Sequence, residues 1–137
     1  MGTFTVPLSS QAFDIAASRP RFAGCDFVFT ADGRRPVGGF AHVKRKLDRR
    51  AKIVKGWRLH DLRRTCASGM QRLGVPVEVI EACLNHRSGT FRGIVGVYQR
   101  HDYLDERRTA LQRWADHVEQ LVTGEPAAVV PLHGRRW

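Results

Sequence analysis

The sequence predicts a mainly α-helical domain with a small β element, an α+β arrangement. Apolar residues recur at three- and four-residue steps through residues 59–73 and 104–122, whereas only residues 3–9 and 26–30 have the alternation and the β-branched or aromatic content of strands. The chain is 137 residues long and 42% hydrophobic, enough for one core and too short for two ordinary domains.

Taken in order, "TFTVPLS" (3–9) reads as a half-buried strand, after which Ser9 or Ser10 can cap a helix over "QAFDIAASR". "DFVFT" (26–30) is the other strand candidate and runs into the turn "ADGRRPVGG". "FAHVKRKLDRRAK" (40–52) places Phe40, Val43 and Leu47 on one helical face and a run of bases on the others. That basic face fits either a polyanion or plain solvent. Leu59, Leu62, Cys66, Met70 and Leu73 form the expected buried stripe of a helix ended by Gly74. "VPVEVIEACLNH" (75–86) predicts a short helix with Pro76 near its first turn and Val79, Ile80, Cys83 and Leu84 turned inward. Residues 87–103 contain three glycines and read as a loop or a weak helix. A closing amphipathic helix spans Leu104 to Val122 and ends near Gly124; the tail 123–137 carries two prolines and no period, as a flexible arm or a docking segment does.

Lysine and arginine number 23 against 13 acidic residues, a formal charge of +10, so a polyanion such as double-stranded DNA is the expected partner. No apolar run has the length of a membrane span, and the first residues lack the pattern of a secretion signal, which predicts a cytoplasmic protein with no membrane partner. Cys25, Cys66 and Cys83 are odd in number and lack C-x-x-C spacing; reduced thiols are expected, with Cys66 and Cys83 serving as packing residues. His60, His86 and His101 have no H-x-x-x-H spacing, so neither a metal nor a cofactor is expected.

His60, Arg63, Arg64 and Ala67 fall off the expected buried stripe, and His60 and Arg63, three residues apart, share a helix face. Arg63 offers a fork of donors suited to two phosphate oxygens, and His60 and His86 can each donate a hydrogen bond or exchange a proton near neutrality. Tyr98 supplies a hydroxyl that becomes a nucleophile only beside cations and a proton acceptor. Together these groups would suit attack on a phosphodiester.

The series "HDLRRT" (60–65), "GVPVEVIEACLNH" (74–86) and "GVYQRHDYLDERRTALQRWADHV" (96–118) resembles the carboxy-terminal part of the tyrosine recombinases, in particular the phage and prophage integrases. The resemblance runs, with short gaps, from about Thr3 to Val122. It implies the catalytic-domain fold of the DNA breaking-rejoining enzymes, with residues 1–122 a part of that domain. It further implies that Arg63 grips the scissile phosphate and that His60 bonds the phosphate and assists proton movement. His86 would bind a nonbridging oxygen, and Tyr98 would form a 3′-phosphotyrosyl link, freeing a 5′-hydroxyl. Such enzymes rejoin strands without ATP or metal and assemble on DNA as homo-oligomers, tetramers in the family. Arg64, Lys44, Arg45, Lys46 and Arg87 are the candidate contacts to flanking DNA, Arg64 alternatively serving an ion pair.

The sequence departs from the family's pattern in three ways. Asn85 stands where the family often has glycine, and the twelve residues from His86 to Tyr98 are more than is common. Tyr103, at the head of the last helix, is the other tyrosine and suits packing better. The family's earlier arginine and its turn lysine match nothing here, since Lys52 and Lys55 come too late in the order. The expectation is a fragment that cleaves DNA poorly alone. Rival readings are a DNA-binding module without chemistry, residues 58–84 forming a helix-turn-helix, and an assembly piece acting through Val129, Val130, Leu132 and Trp137.

Overall fold

The computed structural model describes residues 4–53, 56–86 and 103–124. Among these, five helices form: α1 (Ser10–Ala17), α2 (Phe40–Arg50), α3 (Leu59–Arg72), α4 (Val77–Cys83) and α5 (Leu104–Thr123). The β content of the described residues is one bridge, Thr30 to Pro36.

The core lies where α3, α4 and α5 meet. Met70, Val75, Val79, Ile80 and Ala110 are buried there, with Cys66, Ala67, Cys83, Leu84, Tyr103, Leu111 and Trp114 packed around them. Gly69 lets α3 approach α5 closely, because a Cβ at that position would lie 2.0 Å from Cζ3 of Trp114. The stripe expected on α3 is covered only from Cys66 onward: Leu59 and Leu62 are 45% and 58% exposed, since the packing of α4 and α5 is concentrated on the later turns. Burial raises the thiol pKa of both Cys66 and Cys83, which keeps them protonated packing groups.

The predicted strand at residues 3–9 is not formed over its described part. Residues 4–9 take no regular secondary structure and pair with no strand among the described residues, and a ladder requires a partner. A buried arginine of α5 holds the segment instead: Arg107 Nη2 donates to the Thr5 carbonyl, and its guanidinium lies 4.5 Å from the Phe4 ring centre. Ser9 then caps α1, its Oγ accepting from the Ala12 amide at 3.2 Å. Polar side chains dock α1 on α5, with Gln11 Nε2 donating to Asp116 at 2.9 Å and Glu119 at 2.8 Å.

The second strand candidate is reduced to a tight turn. Asp32 Oδ1 accepts the Arg34 and Arg35 amides at 3.0 and 3.3 Å, which holds its carboxyl below the usual pKa, while Thr30 Oγ1 donates to the Arg35 carbonyl at 2.7 Å. These side-chain bonds occupy groups that a longer ladder would use. α2 is joined to the segment leading into α3 through Asp48, which accepts from Lys44 Nζ at 2.6 Å and from Trp57 Nε1 at 2.7 Å. Those two donors hold the Asp48 carboxyl below its ordinary pKa, the Lys44 bond contributing most. No helix among the described residues is long and apolar enough to cross a membrane.

Candidate active site

Two helix ends frame the site. α3 begins with a reciprocal exchange: the Asp61 amide donates to the Arg58 carbonyl, and the Asp61 carboxylate accepts the Arg58 amide, both at 2.8 Å. The backbone bond from Arg58 is the main reason the Asp61 carboxyl sits below its usual pKa. This capping arrangement fixes the first turn, which carries His60, and sets Arg63 one turn along the same face.

α4 ends in a Schellman motif. Asn85 takes a left-handed conformation (φ +48°), its amide donates to the Ala82 carbonyl at 3.2 Å, and the His86 amide returns to the Glu81 carbonyl at 2.9 Å. Glycine or asparagine is what such a position accepts, so the departure at Asn85 has a backbone reason. The motif folds His86 back over the last turn. There its ring Nδ1 lies 2.7 Å from Glu81 Oε2.

Arg63 joins the two ends. Its Nη2 donates to the Leu84 carbonyl at 2.5 Å, satisfying one of the acceptors that a helix leaves open at its carboxyl end and placing a cation against the negative end of the dipole. Arg63 is half-buried and uses this one donor on the protein in that bond, whereas His60 and His86 are exposed. The structure thus brings the Arg63 guanidinium to the backbone two residues before His86, with His60 on the same helix face as Arg63.

Tyr98 and Arg87 lie outside the described residues, as do His101 and residues 125–137. Tyr103, in contrast, is half-buried against the core at the amino end of α5, with φ +52°. Arg64 lies 3.7 Å from the Asp61 carboxylate and is otherwise exposed. Within the basic run of α2, Lys44 is engaged by Asp48 and lies 4.8 Å from the Trp57 ring centre, while Arg45 and Lys46 are exposed. The roles of Glu81, Asp61 and the Asp48–Trp57 pair went unassigned from the sequence. A signal existed for Asp61, an acidic residue in the first turn of a helix, and a weaker one for Glu81 in the asparagine that follows the helix.

The phage integrase family model matches residues 4–104. The chain is also 31% identical over 121 residues to a prophage integrase of Escherichia coli K12, IntA, an alignment covering 88% of this chain and 29% of the relative. The chain therefore spans less than a third of that curated relative. No solved structure matches it.

Proposed function

Since the chain belongs to the phage integrase family, we propose that it serves site-specific DNA recombination, the integration or excision of phage DNA, by breaking and rejoining strands through a tyrosine. The observation that carries this reading is the Arg63 bond to the Leu84 carbonyl, which ties the H-x-x-R helix to the end of α4 two residues before His86. In this reading a phosphodiester would meet the free donors of Arg63 together with His60 and His86. Charge grows on the nonbridging oxygens as a nucleophile attacks phosphorus, so donors fixed beforehand favour the transition state over the ground state.

Tyr98 is the proposed nucleophile. Its oxygen would bond phosphorus as the 5′-oxygen leaves with a proton, and the resulting 3′-phosphotyrosyl ester conserves the energy needed for rejoining. Tyr103, packed against the core, is the weaker candidate. The family's earlier arginine and turn lysine are assigned to no residue here, and the absence of one strong donor lowers rate by about 100- to 1,000-fold. Slow cleavage by these residues alone follows. Arg45, Lys46, Arg64 and Arg87 are the proposed contacts to flanking phosphates, and assembly of several copies on double-stranded DNA completes the reading.

Nicked suicide duplexes of randomised sequence test it. A covalent protein–DNA adduct on a denaturing gel is expected, abolished by Tyr98→Phe and retained in Tyr103→Phe. Salt-sensitive binding with no adduct, even after long incubation, would instead favour a DNA-binding module without chemistry.

A further inference from the structure

Glu81 touches His86 yet has no part in the proposed chemistry. We propose that it is the positioning residue of His86: its carboxylate holds the imidazole by Nδ1 and leaves Nε2 to meet a phosphodiester oxygen. The inference rests on the proposed phosphate role of His86 and adds a named partner to it.

Glu81 holds His86 twice. Its carbonyl accepts the His86 amide at 2.9 Å, and its Oε2 lies 2.7 Å from the ring Nδ1. The two contacts depend on one another, because the left-handed turn at Asn85 is what brings a residue five places along back over Glu81. The exposures differ in the required sense. The Glu81 side chain is 23% exposed and that of His86 60%, so the carboxylate is sheltered while the ring keeps an open edge.

An ionised carboxylate only accepts, so Nδ1 carries the hydrogen of this bond. A phosphodiester oxygen also only accepts, so a ring bound to it carries a second hydrogen on Nε2. Such a ring is a cation, with Glu81 as its counter-charge on the side away from DNA. Without Glu81 the ring could turn about its Cβ–Cγ bond, and only some of its orientations would present Nε2. An isolated exposed ion pair contributes little to stability. The value of this one lies in orientation.

The test uses the 137-residue chain with ¹⁵N-labelled histidine. Under conditions where the ring is neutral, the His86 nitrogen shifts are expected to show hydrogen on Nδ1, to keep that pattern in Glu81→Gln, which retains an acceptor, and to lose it in Glu81→Ala. A wild-type ring protonated on Nε2, or shifts unchanged in Glu81→Ala, would overturn the hold. Affinity for a short mixed-sequence duplex supplies the second readout. Both Glu81 variants remove the same negative charge, so their difference reports the hydrogen bond alone. Glu81→Ala is expected to bind about tenfold more weakly than Glu81→Gln, the difference vanishing when His86→Ala is added. Equal affinities, or a difference that survives His86→Ala, would overturn the positioning role. If His86→Ala itself leaves affinity unchanged while the ring shifts still depend on Glu81, the hold stands and the phosphate reading fails.

Discussion

The carboxyl ends of α3 and α4 are built alike and used differently. Each closes in a Schellman motif, on Gly74 (φ +77°) for α3 and on Asn85 (φ +48°) for α4. In each, an arginine from another part of the chain donates to the carbonyl of the capping residue, Arg113 to Leu73 and Arg63 to Leu84, both at 2.5 Å. They part at the next residue. After Gly74 comes Val75, which enters the core; after Asn85 comes His86, which stays in solvent with its ring against Glu81. One backbone device therefore terminates a helix in both places. The side chain that follows decides whether it seals the core or presents a polar group.

The largest test of that contrast concerns what secures each end. α3 is pinned on α5 at Gly69, so Gly69→Ala should cost ~3 kcal/mol in urea unfolding, because Trp114 must move to admit the methyl group. A cost near zero would show that the contact is readily relieved and that the α3 end is no more firmly held than the α4 end. The arginines give the intermediate test. Arg113→Ala and Arg63→Ala each remove a cation and a carbonyl's donor, with an expected loss of about 1 kcal/mol apiece. Only Arg63→Ala should also weaken duplex binding beyond the shared charge effect, by about tenfold. Equal binding losses in the two variants would erase the functional difference between the ends.

Much of this contrast was legible in the residues. Gly74 and Gly124 mark the ends of α3 and α5, Ser9 caps α1, and the three-residue spacing of His60 and Arg63 places them on one face. Other features depended on partners remote in the chain. The segment at residues 4–9 reads as a strand because its residues alternate, but alternation specifies neither pairing nor cover: Phe4, Val6 and Leu8 are 40%, 50% and 54% exposed, and Arg107, over a hundred residues away, is what holds the segment. Leu59 and Leu62 fit the helical period of α3, but a period cannot tell how far along a helix its neighbours reach. The grip of Glu81 on His86 was hidden for a different reason: residues five apart do not meet on a continuous helix, and they meet here because the chain reverses at Asn85.

The smallest expected effect lies in exchanging the two left-handed residues. Asn85→Gly relieves the modest strain of a side chain at positive φ but enlarges the freedom of the unfolded chain, and the two effects oppose. Net stability should shift by within about 0.5 kcal/mol, and duplex affinity should be kept, because the His86 amide still returns to the Glu81 carbonyl. Gly74→Asn has room for its Cβ and should cost about 1 kcal/mol at most, with no change in binding. Urea unfolding and duplex titration of both variants check the pair. Loss of DNA affinity in Asn85→Gly with the fold intact would mean that the Asn85 amide group itself touches the nucleic acid. The two ends would then differ in the residue that makes the turn as well as in the one that follows it.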